Sequence, residues 1–301
     1  MIELIDTNAS EIAAQFVRGR IHAGSPAMGM VMTLVIVVGE DDAAAAMAAA
    51  KEASHEHPAR VLGVIHGDGR GAAEINAQVG IGQGWTGEIA LIRLKGEVVK
   101  HAASVVLPLL LPDSPVVVWW PTDHPDDPAA DPLGRLGKRR ITDSAFVSRG
   151  KLKALRGQCE TYAPGNTDLA WTRVTPWRAL LAAALDQQPL KVKRVRVAAE
   201  RISPSADLLL AWLSDRLRVP AERVTSRGPG ITEVVLETAE GDIRIARSDG
   251  KLAVFASPDR PDRPVALKRR ELPELLAEEL RWSDEDDIYA ATAKRLLTLE
   301  H

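Results

Sequence analysis

The sequence predicts an α/β fold: an N-terminal, mainly parallel sheet with helices on both faces, Rossmann-like, followed by a smaller C-terminal α+β domain. Three observations carry that expectation. In the first half, continuous apolar runs of strand length alternate with helical patterns, as strands covered on both faces require. In the second half, short strands are joined by tight polar-glycine turns and the closing helices come together. At 301 residues the chain is long enough for two cores.

The elements follow in order. Asn8-Ala9-Ser10-Glu11 opens a short helix with polar residues able to cap it. Met30 to Val38 reads as a fully buried strand ended by Gly39. Asp41 caps an alanine-rich helix to about Glu56, before Pro58. Strands are expected at Arg60 to His66 and Glu88 to Leu94. A helix from Glu97 to Leu107 is stopped by Pro108. Pro115 to Trp120 is a fourth strand, and Arg140-Ile141-Thr142-Asp143-Ser144 a very short fifth.

The pattern then changes, which places a boundary around residues 158–168. The two domains are 1–160 and 161–298, and 299–301 (Leu299-Glu300-His301) reads as the scar of an expression tag. Asp168 to Arg173 leads into Thr175-Pro176, a cap followed by a proline at the first helical position, and that helix runs to about Asp186. Leu190 to Ala198 is a strand, and Ser203-Pro204 starts a helix ending near Leu217. Strands at Thr232 to Glu237, Asp242 to Arg247 and Leu252 to Phe255 are joined by the turns Glu240-Gly241-Asp242 and Ser248-Asp249-Gly250. Helices at Glu271 to Trp282 and Glu285 to Leu297 close the chain.

Composition excludes several function classes. Hydrophobic residues make up 46% and charged residues 26%, ordinary for a globular protein. Net charge is −3, and a split near residue 158 leaves about −2 and −1 on the two halves, so neither carries the basic excess of a nucleic-acid binder. No apolar run reaches the ~20 residues that span a bilayer, and the N-terminus lacks a signal-peptide pattern. The expected location is the cytoplasm. The lone Cys159 rules out an internal disulfide and disfavours a cysteine-based zinc site.

Catalytic and cofactor motifs are missing. Gly82-Gln83-Gly84-Trp85-Thr86-Gly87 has dinucleotide-loop spacing, but it precedes a strand where the fingerprint follows one, so it reads as a loop entering an edge strand. Gly67-Asp68-Gly69-Arg70-Gly71 follows a strand without opening a helix. No G-x-S-x-G or H-E-x-x-H sequence is present, and His55 and His57 do not share a helix face. Asp123-His124-Pro125-Asp126-Asp127 has metal-ligand chemistry, yet a proline-punctuated acidic loop reads as a solvated turn. No catalytic residue, metal or cofactor is therefore assigned. In L-K-V-K-R-V-R-V (190–197) the bases read as the wet face of a half-buried strand, with an anion-attracting stripe as the sharper alternative.

In an open parallel sheet, ligands bind beyond the carboxyl ends of the strands. Trp119, Trp120, Thr122, Asp123 and His124 occupy that place for one expected strand, and Asp143 and Ser144 for another. A second tryptophan cluster lies at 171–178, with Trp171, Arg173, Trp177 and Arg178. Seven Trp against three Phe and two Tyr is an unusual balance for core filling, and Trp is a frequent interface anchor. Trp119, Trp120, Trp171 and Trp177 are expected to anchor a partner-facing or ligand-facing surface, and Arg173 and Arg178 to add charge-assisted hydrogen bonds.

These same stretches carry a resemblance. P-V-V-V-W-W-P-T-D-H-P, R-R-I-T-D-S and D-L-A-W-T-R-V-T-P-W-R-A-L-L resemble the OpcA family of glucose-6-phosphate dehydrogenase assembly proteins in its actinobacterial form, as does Gly24-Ser25-Pro26-Ala27 before Val31 to Val38. The resemblance implies a non-enzymatic partner of glucose-6-phosphate dehydrogenase that favours its active oligomer in the oxidative pentose phosphate pathway, and so its supply of NADPH. It also implies a link to thiol redox state in the cyanobacterial branch, which a single Cys159 does not support as an internal dithiol switch. The alternative is a sugar-phosphate- or nucleotide-binding enzyme or sensor working through Asp123, His124, Asp143 and Ser144.

Overall fold

The computed structural model describes all residues except 24–28, 83–86, 248–249 and 300–301. The chain forms two compact units. Unit 1 holds Met1–Asp143, Gly165–Thr167 and Leu272–Glu285, and unit 2 holds Ser144–Pro164, Asp168–Glu271 and the chain from Asp286 onward.

Unit 1 is built on an eight-stranded sheet. Its elements are β1 (Ile2–Leu4), α1 (Ala9–Ala23), β2 (Met32–Gly39), α2 (Glu40–Ala53), β3 (Ala59–His66), β4 (Glu74–Ile81), β5 (Gly87–Lys95), α3 (Ala102–Val106), β6 (Val116–Trp119) and β7 (Arg139–Thr142). The sheet order is β1-β4-β5-β3-β2-β6-β7 followed by β8 (Asn166–Asp168). β5, β3, β2, β6 and β7 pair parallel, whereas β4 pairs antiparallel with β5 and β1 with β4. The mainly parallel sheet with helices is the architecture the sequence predicts.

Alternation along the strands divides the core. Val35, Val37, Leu62, Val64, Ala90, Ile92, Val118 and Trp120 pack with Ile12 and Phe16 of α1 and with Val105, Val106 and Leu109. The opposite face receives α2. There Gly63 of β3 allows a close approach, because a Cβ at that position would lie 2.8 Å from Met47 Sδ. Buried charges are paired. Arg60 and Glu88 are cross-strand neighbours on β3 and β5, and Glu88 accepts from Arg60 Nε at 2.7 Å and from Arg20 Nη1 at 2.7 Å.

Unit 2 contains α4 (Lys151–Glu160), α5 (Leu169–Thr172), α6 (Thr175–Gln187), β9 (Arg194–Ala199), α7 (Pro204–Leu217), β10 (Ala221–Thr225), β11 (Ile231–Glu237), β12 (Ile243–Ala246), β13 (Leu252–Ser257) and β14 (Arg260–Ala266). The chain closes with α8 (Leu272–Leu280), which belongs to unit 1, and α9 (Asp287–Thr298), which belongs to unit 2. The second sheet has the order β10-β9-β11-β12-β13-β14. Its core gathers Val195, Val197, Val234, Leu236, Ile243 and Ile245 with Leu208, Leu209 and Leu213 of α7 and Leu181 of α6.

Several elements differ from expectation. β5 is interior, with β4 beside it, so Glu88 to Leu94 is not an edge strand. The loop 67–73 leads into β4, E-I-N-A-Q-V-G-I, a strand absent from the expected elements although its apolar residues alternate with Glu, Asn, Gln and Gly. The helix expected over Glu97–Leu107 is broken into 3-10 turns around the five-residue α3. α2 starts directly after β2 with Gly39 as its cap, so Asp41 sits in the first turn and does not cap it. β14, R-P-D-R-P-V-A, carries two prolines that a strand tolerates at a sheet edge, which is where it lies. Residues 144–160, read as part of the first domain, cluster with unit 2, and α8, read as part of the second, clusters with unit 1. The stretches 24–27, 83–86, 248–249 and 300–301, singled out in the sequence, lie wholly or in part outside the described residues.

Candidate functional site

The first place to look is the carboxyl end of the parallel sheet in unit 1. β2 leads to β3 on one side and neighbours β6 on the other, which makes the β2/β6 edge the topological switch point. The groups meeting there are the first turn of α2 and the segment after β6. That first turn is Glu40-Asp41-Asp42, and Thr122 Oγ1 donates to Asp42 Oδ2 at 3.1 Å. A phosphate site needs open N–H groups and positive potential at a helix start. Three carboxylates in the first turn supply the opposite field. The crevice that would hold a nucleotide in this topology therefore disfavours one.

The loop after β6 is organised by its own aspartates. Asp127 accepts from the amides of Ala129 and Ala130, and Asp131 from those of Leu133 and Gly134. Gly134 admits no side chain, since a Cβ would lie 1.8 Å from Pro128 O and 3.2 Å from the Trp120 ring. Nδ1 of His124 donates to Pro125 O at 3.1 Å. Among the described residues no group of three or more His, Cys, Asp or Glu is arranged to hold a metal.

The tryptophans need correction. Trp119, the last residue of β6, and Trp120, the next, are buried on opposite faces of the sheet and present no ring to a partner. Trp119 Nε1 has no hydrogen-bond partner among the described residues. Trp171 is buried too. Its Nε1 donates to Asp286 Oδ2 at 2.8 Å, its ring lies 5.8 Å from that of Tyr289, and the Arg178 guanidinium stacks 3.7 Å above it. Arg178 also donates to Thr175 Oγ1 at 3.1 Å, so it braces a core ring and the start of α6. Sequence alone shows the aromatic excess without the faces, and here the rings fill cores.

Asp143 and Ser144 are also fully buried. In unit 2, Ser144 donates to Asp168 Oδ2 through its amide at 3.0 Å and its hydroxyl at 2.6 Å, while Ala170 N donates to Asp168 Oδ1 at 2.8 Å. Asp168 thereby caps α5 and holds the turn at Ser144. This is an internal fastening, closed to a substrate.

Two of the expected residues do meet in a cavity. Arg173 and Trp177 line a cleft of about 400 Å³ within unit 2. Its walls are the start of α4, the α5–α6 turn, the segment from Glu200 to Ser205 at the start of α7, Gly230 and Ile231 of β11, Arg247 after β12, and Leu267 to Glu271 after β14. Lys151, Arg173, Arg247, Lys268, Arg269 and Arg270 give it six cationic side chains, against the carboxylates of Glu200 and Glu271. Trp177 is buried beneath, with the Arg247 guanidinium 5.1 Å from its ring. The one local sequence signal for this site is the three-base run Lys268-Arg269-Arg270 just before α8, which motif and periodicity rules pass over. The stripe at 190–197 is not part of it. There Arg194 pairs with Glu222 of the neighbouring β10 at 3.7 Å.

Cys159 lies in the core of unit 2. Burial, aided by Asp168 and Glu160, pushes its thiol up to about 12. The thiolate is the reactive species, so the native protein is expected to resist alkylation by iodoacetamide at pH 8 and to label fully in denaturant. Native labelling at the denatured rate would contradict that. An unfolded thiol ionises near 9.0, so this group favours the folded state less as pH rises from about 9 to about 12.

The comparisons with known proteins complete the picture. Two family profiles described as domains of a glucose-6-phosphate dehydrogenase subunit match the chain: the N-terminal domain over residues 50–158 and the C-terminal domain over residues 164–293. The chain is 28% identical over 181 residues to a protein of Synechococcus elongatus named as a putative OxPP cycle protein OpcA; the match covers 54% of this chain and 40% of that one. The chain thus spans about two-fifths of the length of the curated relative it matches. Among solved structures, an oxidoreductase from Sinorhizobium meliloti aligns at 10% identity over 88% of this chain and 95% of its own, with a TM-score of 0.47. An E. coli structure described as trehalose-6-phosphate, bound with UDP-2-fluoro glucose, aligns at 12% identity over 65% and 66%, with a TM-score of 0.26. Neither structural likeness is close enough to carry an argument. Among the described residues no helix is long and apolar enough to cross a membrane.

Proposed function

This chain belongs to the OpcA family of glucose-6-phosphate dehydrogenase subunits, and on that premise we propose that it is a non-catalytic subunit that binds glucose-6-phosphate dehydrogenase and favours its active oligomer. The observation that carries the reading is that both the N-terminal and the C-terminal profile of that family match, in order, along one chain. The geometry of unit 1 supports it. At the rim of the sheet, where an enzyme of this topology would hold its cofactor, the first turn of α2 is acidic and Asp143 and Ser144 are buried. Of the rim residues singled out earlier, Asp123 is exposed and Thr122 and His124 are half-buried, so these remain candidates for partner contact together with Arg173.

Activation of this kind requires differential affinity: the protein raises activity only by binding the active state of the enzyme more tightly than the inactive one. Such couplings typically amount to 1–3 kcal/mol, roughly 5- to 150-fold in the equilibrium. The test is to assay the dehydrogenase of the same organism with and without saturating amounts of this protein, and to measure its mass distribution by light scattering. Higher turnover, with a shift towards a larger assembly containing both chains, is expected. Unchanged turnover and unchanged assembly would refute the proposal.

A further inference from the structure

We propose that the cationic cleft of unit 2 binds a phosphorylated small molecule carrying at least two negative charges. The inference concerns the chain by itself and does not depend on the partner enzyme.

Charge is the first argument. The whole chain is slightly acidic, at −3, yet among the described residues six cations converge on one cavity together with two carboxylates. A local field of that sign concentrates anions. Crowded like charges also repel one another, and an anion between them relieves that repulsion.

Orientation is the second. Arg247 donates from Nη1 to Leu267 O at 2.9 Å and from Nη2 to Ile231 O at 3.2 Å, and Arg270 donates to Thr172 O. These bonds fix where the two guanidinium groups lie. The Arg269 side chain passes beside two glycines. A Cβ on Gly230 would lie 3.1 Å from its Nη2, and one on Gly250 would lie 3.3 Å from its Nε. Both glycines have positive φ, 59° and 76°, so a side chain there would be strained as well as crowded. Arg173 and Lys151 are placed over Phe146, at 5.1 and 6.0 Å from its ring centroid.

The third argument is the helix that begins at the cavity. Ser203, Pro204 and Ser205 line it, α7 runs for 14 residues, and the Ser203 side chain makes no capping bond. The end of α7 brings partial positive charge to the same place.

These features define the ligand class. Planar guanidinium forks pair with oxyanions through two parallel bonds, and a phosphate offers three terminal oxygens and up to two charges to a ring of donors that one carboxylate would leave unsatisfied. The volume falls within the few-hundred-Å³ range of small-molecule sites, and Ile202 and Leu267 give an uncharged body somewhere to rest.

The experiment is isothermal titration of the full chain alone, at low and at moderate salt. The probes are inorganic pyrophosphate, glucose 6-phosphate and ATP, with glucose and adenosine as uncharged controls and a polyglutamate peptide as a carboxylate control. At least one phosphorylated probe is expected to bind with Kd below about 1 mM, weakening with salt, while glucose and adenosine do not bind. Whichever of the three binds best identifies the source of the phosphate. The double variant K151Q/R269Q, both side chains being exposed, should lose at least about tenfold in affinity with its unliganded melting temperature not lowered. The proposal is overturned if no phosphorylated probe binds at low salt, if the variant binds as well as the parent, or if only the peptide binds. No dehydrogenase is present in this experiment, so its failure and a failed activation assay are separate results.

Discussion

Replacing Glu88 with Ala lowers the unfolding free energy of unit 1 by about 3–5 kcal/mol, the range for removing one partner of a buried ion pair. Glu88 and Arg60 face each other across β5 and β3, and both are buried. Arg60 also donates to Leu109 O at 2.7 Å and lies 4.7 Å from the Phe16 ring, so it has no route to water when its carboxylate is lost. Arg20 is about a quarter exposed and can turn to solvent, which limits its share of the loss. The double change of Glu88→Leu with Arg60→Met should recover most of the stability, because an apolar pair of similar volume carries no desolvation penalty. Urea unfolding of the single and double variants measures both values. A single variant within about 0.5 kcal/mol of the parent would mean the pair is solvated.

Trp171→Ala costs a similar amount in unit 2, about 3–5 kcal/mol. The ring is held by Tyr289 on one side and Arg178 on another, and its Nε1–H reaches Asp286. Asp286 Oδ1 in turn accepts from the amides of Ile288 and Tyr289, which caps α9. Loss of Trp171 therefore opens a cavity and loosens the start of a helix. Trp171→Phe keeps much of the ring but not the donor, and should cost about 1–3 kcal/mol. Chemical unfolding separates this role from the one the sequence suggested. A partner-contact Trp would leave stability unchanged and lower only the activation of the dehydrogenase.

The parallel sheet was legible because buried strands such as T-L-V-I-V-V and V-L-G-V-I are continuous and apolar, with nothing else for such runs to become. β4 was missed although E-I-N-A-Q-V-G-I alternates at every second position, because Asn, Gly and Ala have low strand propensity and pairing with β5 is what sets the strand. β14 was hidden by Pro261 and Pro264, which local rules read as a loop and a sheet edge accepts. At the site level, Arg173 and Trp177 of the stretch from residue 171 to 178 line a cavity, but exposure was misjudged for all four rings, Trp119, Trp120, Trp171 and Trp177, which are buried. An aromatic excess states how much surface must be covered, and only the tertiary fold states by what. The remaining cations of the cleft come from segments as far apart as Lys151, Arg247 and Arg269, a convergence that no local window of sequence records.

The threading of the units has a consequence for synthesis. Strand β8 and helix α8 belong largely to unit 1, although β8 is encoded after the first segment of unit 2 and α8 after most of it. Arg139, buried on β7, meets its carboxylate Glu279 at 2.6 Å only when α8 is in place. On the ribosome, the N-terminal sheet must therefore wait for its last strand until residue 168 has emerged, and Arg139 for its carboxylate until α8 has emerged. A gene fragment cut at the profile boundary would release a nascent polypeptide that lacks the last pieces of its own first layer.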